Sequence, residues 1–240
     1  MPKDKVPVFD GPSHTYTDPD DNFKYTSVTR FLDRFKPHFD EQTMAKRIAQ
    51  REGISVECIL EMWEEKREKS KVFGTRVHKI LELYHTTGKN SDKEYATILN
   101  KFKELDVKLD KKNTFFEKLV YNRKFGIAGM SDVIMHNADK KTFNVYDFKT
   151  NKKLRYHSPF NDQLLGPVSK FPCSEYFSYS LQLSMYAYLY KLMSGLEPLR
   201  LKIFWYSREK PEDYTNLNGE WLTIGVPYLE EDVIKCLQHE

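Results

Sequence analysis

Three short runs of β-branched and aromatic residues in the middle of the chain constrain the fold more than any other feature. They are TFFEKLVYN (residues 114–122), IAGMSDVIM (127–135) and FNVYDFKT (143–150), and the stretches KFG and NADKK separate them. Each run alternates with period two, and each separator carries turn-forming residues. The pattern predicts three consecutive strands joined by short turns.

Helical patterns surround these strands. Residues 1–24 are rich in Pro, Asp and Gly and predict an extended or loosely ordered lead-in. Ser27 and Ser55 stand where helix N-caps are expected. A connection over residues 151–175 is long enough to indicate a functional loop or a small element of its own. Helical spacing is present in SVTRFLDRF, ISVECILEMWEEKREKS, FGTRVHKILELYH, DKEYATILNKFKEL, EYFSYSLQLSMYAYLYKLM and LEEDVIKCLQH, and strand patterns in LRLKIFWYS and EWLTIGVPY.

The order of these elements predicts an α/β (α+β) core with an N-terminal helical part. The chain has 240 residues, of which 40% are hydrophobic, enough for one good core. We therefore expect a single domain over residues 1–240, with residues 1–69 as the helical part and residues 70–240 as the core. Apolar residues of the helical part, such as Val56, Leu60 and Trp63, are expected to pack on that core.

Composition excludes some classes of site. The net charge of +3 permits a nucleic-acid partner but does not argue for one. Cys58, Cys173 and Cys236 are far apart and form no Cys-x-x-Cys pair, so we expect no zinc or iron–sulfur site built from cysteines. The chain has no apolar signal sequence and no segment of membrane-spanning length, so we expect a cytoplasmic protein in a reducing compartment.

The strands carry charged residues where core residues would be expected. Asp147 and Lys149 share a face with Val145, and Asp132 shares one with Met130 and Ile134. If the strands pair as a meander, Asp132 approaches Asp147. Two facing carboxylates repel each other unless a cation or a proton lies between them, and hard oxygen ligands suit Mg²⁺ or Mn²⁺. The alternative is an ordinary charged, solvent-facing edge.

Other polar residues occur at suggestive spacings. Glu117 is an acid among apolar strand residues, and His78 could be a further metal ligand, four residues after Gly74 on one helix face. Gln182 and Tyr186 repeat the four-residue spacing on a later helix. Each also has a plain structural interpretation: a satisfied histidine, or a helix surface beside a packed aromatic ring.

Taken in order, these motifs resemble the RecB-type branch of the PD-(D/E)XK nuclease superfamily. The series is GTRVH, Glu117 in a strand, GMSD, DFK and QLSMY, over about residues 70–190. The stretches YTSVTRFL and GPVSKFPCSEYFSYSLQLSMYAYL further resemble phage exonucleases and the mitochondrial genome maintenance exonuclease. Ser131 replaces the proline of the older pattern, as is usual in this branch. The resemblance implies a restriction-endonuclease-like αβββαβ core with a central mixed sheet flanked by helices.

The resemblance also implies site roles. His78, Asp132, Asp147 and the Phe148 carbonyl would bind one or two Mg²⁺ or Mn²⁺ ions, and no iron–sulfur cluster is implied. Lys149 would be the catalytic lysine.

Supporting roles are implied as well. Glu117 would support the metal, through water, and Gly74 would allow close approach of helix and substrate. Gln182 and Tyr186 would hold Lys149 or the DNA backbone. Beside the site, Lys152, Lys153 and Arg155 would contact phosphates, unless they form a solvated loop.

The implied function is a Mg²⁺- or Mn²⁺-dependent DNA exonuclease acting on single strands or free ends in replication, recombination or repair. We expect a monomer whose partners are DNA and replication or recombination proteins, in a bacterial or phage-infected cell, with no membrane partner. Residues 25–69 would roof the groove, so that a strand must be threaded. A flap endonuclease is one alternative, and a non-catalytic nucleic-acid-binding subunit is another.

Overall fold

A mixed β-sheet with helices on both faces forms the centre of the protein. The computed structural model describes residues 6–11, 13, 15–90, 92–105, 107, 109 and 112–239. Its strands are β1 Val8–Asp10, β2 Thr15–Thr17, β3 Lys24–Ser27, β4 Thr114–Asn122, β5 Ile127–His136, β6 Thr142–Lys149, β7 Glu197–Arg208 and β8 Gly219–Val226. Its helices are α1 Val28–Asp33, α2 Glu41–Glu52, α3 Val56–Thr87, α4 Ala96–Glu104, α5 Glu175–Ser194 and α6 Glu230–Gln238, with one 3₁₀ turn at Gly166–Val168.

The three predicted central strands are confirmed. β4 and β6 both pair antiparallel with β5, β7 joins β6 in parallel, and β8 closes that side antiparallel to β7. The fold is therefore a mixed α/β structure with a central mixed sheet flanked by helices, as the sequence predicts. Ser27 and Ser55 cap α1 and α3 through their side chains, also as predicted.

Two hydrophobic cores cover the two faces of the sheet. One joins α1, α5 and α6 to residues such as Ile134 and Val145. The other joins α3 and α4 to Val133, Tyr146 and Phe148. Because neighbouring residues of β6 enter opposite cores, both faces of this strand are covered, and a charged side chain placed there must be buried.

One edge of β5 is divided between two partners. β3 pairs in parallel with Ile127 and Ala128, and β6 pairs with Val133 through His136. Between these two ladders, residues 129–132 have no paired strand on that edge within the described part of the chain. The sheet opens at this place, and the opening contains Asp132.

The N-terminal region differs from its prediction in two respects. The lead-in forms three short strands, β1 to β3, whose last member joins the main sheet; residues 1–5, 12 and 14 lie outside the described residues. The two helices predicted on either side of residue 70 are one continuous helix, α3, because its mid-helix Gly74 does not interrupt the helical backbone. The proposed division at residues 69 and 70 therefore falls inside a single helix.

The first half of α3 and the whole of α2 form an arm with its own small core. Ala45, Ala49 and Ile59 are buried there, with Val56, Leu60 and Trp63 packed around them. The prediction that these apolar residues pack on the catalytic core is therefore wrong: the two helices of the arm cover each other. No helix within the described residues is long and apolar enough to cross a membrane.

Candidate metal-dependent active site

Asp132 lies where the opening in the sheet meets α3. Its Oδ2 accepts a hydrogen bond from the backbone N–H of Phe148 at 2.7 Å, and the same oxygen lies 3.4 Å from Nδ1 of His78. Burial opposes a charge on Asp132, but His78, Lys149 and the Phe148 amide outweigh it and lower the pKa of the carboxyl. Burial likewise disfavours the imidazolium, yet the charge of Asp132 raises the pKa of His78 to about 9.

Glu117 faces Asp132 from the neighbouring strand. The pairs Phe116–Val133 and Lys118–Ser131 bracket these two residues in the ladder. Burial, followed by the charge of Asp132, raises the pKa of Glu117 to about 7. Glu117 also has a φ of 45°, in the left-handed region that non-glycine residues rarely adopt. A strained acid beside another acid is typical of a site whose geometry serves chemistry more than stability.

Asp147 and Lys149 form a buried ion pair at the end of β6. The register of β5 and β6, continued by one residue from Val133–Tyr146, places Asp147 opposite Asp132. Asp147 Oδ2 lies 2.5 Å from Lys149 Nζ, with the two side chains 3% and 17% exposed. Burial raises the pKa of Asp147 to about 6. Burial alone would lower the pKa of Lys149, but the carboxylates of Asp147 and Asp132 raise it, so the lysine is charged.

Helix α5 supplies the polar neighbours of the lysine. The ammonium of Lys149 lies 4.7 Å from the centre of the Tyr179 ring, within cation–π range. One turn further along, Gln182 Nε2 donates a 3.0 Å hydrogen bond to the hydroxyl of Tyr186. Burial, followed by the charge of Asp147, raises the pKa of Tyr186, so its hydroxyl is neutral and available as a donor. The predicted pair of Gln182 and Tyr186 thus lies near the ion pair of Asp147 and Lys149.

Two glycines let the surrounding elements approach. A Cβ at Gly74 would lie 3.3 Å from the hydroxyl oxygen of Thr150, just after Lys149, so α3 passes close to the end of β6. A Cβ at Gly129 would lie 2.8 Å from Cε1 of Tyr186 and 2.9 Å from Cγ2 of Val28. Gly129 therefore admits the Tyr186 ring to the opening in the sheet.

An open cleft of about 730 Å³ reaches part of this site; among the described residues, Asp147, Lys149 and Gln182 do not line it. His78, Glu117, Asp132, Gly74 and Tyr186 all line it. Its walls come from α3, from the start of α1, and from the N-terminal strands through Phe9 and Tyr16. The lead-in predicted from the sequence is therefore one wall of the site.

The basic loop after β6 is partly neutralised by acidic residues. Lys152 forms an ion pair with Glu212, and Arg155 forms one with Glu175 at 2.7 Å. The indole N–H of Trp205 donates to the backbone oxygen of Asn151 at 2.9 Å and so fixes the beginning of the loop. Lys153 has no ion pair within the described part of the chain. Of the three residues predicted to contact phosphates, Lys152 and Arg155 each have an acidic partner, whereas Lys153 has none among the described residues.

The donor atoms present fit a hard divalent cation. One potential ligand atom each from His78, Glu117 and Asp132 lies within 4.8 Å of the others. Asp147 Oδ2 is buried and paired with the Lys149 ammonium, 2.5 Å away. An imidazole nitrogen and several carboxylate oxygens are a suitable set for Mg²⁺ or Mn²⁺. The Phe148 amide, not its carbonyl, makes the contact with Asp132; the carbonyl as ligand stays a prediction.

Several residues of the site were not predicted from the sequence. Tyr16 faces Glu117, and burial followed by that acid raises the pKa of Tyr16 to about 12. Glu82 lines the cleft one helical turn after His78, a spacing that could have identified it. Tyr179 precedes Gln182 by three residues on α5, a spacing that could also have identified it. Tyr16 had no such signal, because its strand is three residues long.

Comparisons with known proteins do not add to this geometry. A scan against models of protein families finds no match, and a search of curated proteins also finds none.

Proposed function

We propose that the protein is a metal-dependent deoxyribonuclease of the PD-(D/E)XK type, in the RecB-like branch. One observation carries the proposal. His78, Glu117 and Asp132 converge at an opening of the sheet, where the register brings the buried Asp147–Lys149 pair opposite Asp132. These residues come from α3, β4, β5 and β6, and they are the ones the motif series singles out. The element order β4, β5, β6, α5, β7 after α3 supports a restriction-endonuclease-like core.

The proposed reaction is hydrolysis of a phosphodiester. A divalent ion held by His78, Asp132 and Asp147 would supply Lewis-acid stabilisation of the phosphate charge and a more acidic bound water. Glu117, whose pKa of about 7 lets it exchange a proton near neutral pH, is suited to accept a proton from water. The Phe148 amide binds Oδ2 of Asp132 and holds the carboxylate in place, which fixes the direction of Oδ1.

Lys149 would stabilise the charge that develops on the phosphate. It is positively charged, has only 17% of its side chain exposed, and lies between Asp147 and the Tyr179 ring. A preorganised cation in a site with little water stabilises a developing negative charge more than a solvated one does. Tyr186 and Gln182 hold the neighbouring positions through their mutual hydrogen bond and would orient the scissile phosphate.

The mode of action is proposed as exonucleolytic, on single strands or free ends. The resemblance of YTSVTRFL and of the stretch around α5 to phage exonucleases supports this mode. Such an activity fits DNA replication, recombination or repair. The structure-selective endonuclease remains the enzymatic alternative, since the arm does not pack on the core. The non-catalytic alternative is disfavoured because no acid and no lysine of the motif series is missing.

The test uses labelled DNA of defined topology. Linear single-stranded, linear double-stranded and closed circular single-stranded DNA are incubated with Mg²⁺, Mn²⁺ or EDTA. We expect metal-dependent degradation of linear single strands, with circles spared and no cleavage in EDTA. Cutting of circles as fast as linear strands would favour the endonuclease. Binding of DNA without cleavage under any metal condition would favour the non-catalytic subunit.

A further inference from the structure

Two aromatic rings, the exposed Phe39 and the half-buried Trp63, lie together at the edge of the arm, outside the catalytic site. Phe39, in the link between α1 and α2, is 53% exposed. Its ring centre lies 6.3 Å from that of Trp63 on α3, with the planes inclined by 48°. Both rings line a hollow of about 430 Å³, together with Lys66, Ser70 and the ion pair of Glu41 and Arg67. An exposed aromatic ring beside a cation suits a partner that is flat, apolar on its faces and negatively charged elsewhere.

The hollow is continuous with the catalytic cleft. Ser70 lines both of them. Phe39 also lines a second hollow, which reaches Tyr179, and the ring of Tyr179 lies 4.7 Å from the ammonium of Lys149. Phe39 therefore stands between the arm and the catalytic lysine, on a continuous surface.

Positive charge gathers beside the rings. Lys66 and Lys153 form no ion pair within the described residues, whereas the neighbouring Arg67 is paired with Glu41 and Glu64. Lys152, which is paired with Glu212, feels both cations: after a loss of hydration, the charges of Lys66 and Lys153 lower its pKa. Positive charges from α3 and from the loop after β6 thus act on one another. A bound anion would relieve their repulsion, so this surface favours anion binding.

We propose that the arm binds the substrate strand before cleavage, with an unpaired base stacked on Phe39 and Trp63 and with phosphates bound by Lys66 and Lys153. The proposal rests on the proposed function, since it takes single-stranded DNA as the substrate. A flat aromatic surface next to separated cations matches a single strand, whose bases are free to stack and whose phosphates follow one another. Paired bases within a duplex present no free face to such a surface.

The rings and the lysines make separable contributions, which defines the test. Binding is measured in EDTA, so that no cleavage occurs, with a single-stranded oligonucleotide and with an abasic strand of the same length. Phe39→Ala should weaken binding of the normal strand by about 5- to 100-fold and leave the abasic strand unchanged. Met62 lies on the same helix as Trp63, is 55% exposed and does not line the hollow. The control Met62→Ala should therefore leave binding of both strands unchanged.

The lysines are tested by the salt dependence of the same binding. Lys66→Gln combined with Lys153→Gln should reduce the slope of log affinity against log salt by about 1.4 for both strands, at about 0.7 per phosphate contact. Lys46→Gln, an exposed lysine on the neighbouring helix α2, is the matched control and should leave the slope unchanged.

Two results would overturn the proposal. In the first, Phe39→Ala weakens binding of the normal and the abasic strand equally, which would make Phe39 merely structural. In the second, Phe39→Ala weakens binding of neither strand. If Phe39→Ala fails to fold, Phe39→Leu retains the apolar volume without the aromatic face and should show the same base-dependent loss. Absence of metal-dependent cleavage by the wild type would reject the proposed function separately, because the binding assay needs no catalysis.

Discussion

The backbone amide of Phe148 donates a hydrogen bond to the Asp132 carboxylate, 2.7 Å away. In a regular antiparallel ladder a backbone carbonyl would take this position. The carboxylate takes its place where the edge of β5 is unpaired, so the same group joins two strands and faces the cleft. Asp132 is therefore both a structural acceptor and a candidate metal ligand, and these two roles can be separated by substitution.

Asp132→Ala should destabilise the metal-free protein more than Asp132→Asn does. Alanine leaves the buried Phe148 amide without an acceptor, at a cost of about 1–3 kcal/mol, whereas asparagine retains an oxygen. Urea unfolding in EDTA measures the difference. Equal unfolding free energies for the two variants would show that the hydrogen bond is not required for stability.

The Asp147–Lys149 pair should show strong coupling in stability. Lys149→Met leaves Asp147 buried without its cation, and at pH 8 this should cost about 3–5 kcal/mol. The double variant Asp147→Asn with Lys149→Met removes both charges and should lose less stability than Lys149→Met alone. Both variants should lack DNA cleavage, since both lack the lysine.

The exposed pair of Lys36 and Asp33, at 2.7 Å, is the control for this comparison. Lys36→Met should change the unfolding free energy by less than about 1 kcal/mol. A double variant that is as unstable as Lys149→Met, or less stable, would contradict the coupling.

The His78–Asp132 pair predicts a definite pH dependence for the metal-free protein. The pKa of His78 is raised to about 9 from an ordinary value of 6.5. A raised histidine pKa contributes stability that is complete below about pH 6.5 and is lost as the pH rises through about 9. The pH-dependent stability difference between wild type and His78→Gln should therefore reach up to about 3 kcal/mol near pH 6 and vanish near pH 10. A difference that is constant across this range would contradict the ion pair.

Gly129 should be required for the position of Tyr186. In Gly129→Ala the new Cβ would lie 2.8 Å from the tyrosine ring, so the ring or the helix carrying it must shift. We expect a loss of about 1–3 kcal/mol in stability and reduced DNA cleavage. Gly225→Ala is the matched control, because nothing lies within 4 Å of its Cβ. Normal cleavage by Gly129→Ala would show that Tyr186 does not need its present position.

The central strands and the helix caps could be predicted because their signals are local. β4, β5 and β6 alternate regularly, and Ser27 and Ser55 each precede a helical pattern. The strands β1 to β3 could not be predicted, because they are three or four residues long and only β3 joins the main sheet, through β5, about a hundred residues away. The mutual packing of α2 and α3 is likewise tertiary information that no single helix carries.

The residue types of the site could be predicted, but their geometry could not. The motif series singled out His78, Asp132, Asp147 and Lys149. The divided edge of β5 depends on two partner strands, and the positive φ of Glu117 opposes the local preference of a glutamate. Such a conformation has no sequence signal, because the rest of the fold imposes it.

The most direct test asks whether one site both binds Mn²⁺ and cleaves DNA. Mn²⁺ binding by electron paramagnetic resonance and cleavage of linear single-stranded DNA are measured on the same samples of wild type, Asp132→Asn and the surface control Asp139→Asn. The account predicts that wild type and Asp139→Asn bind Mn²⁺ and cleave, whereas Asp132→Asn loses both properties and remains folded. It would be contradicted by a wild type that does not cleave at saturating Mn²⁺, or by Asp132→Asn binding and cleaving as the wild type does.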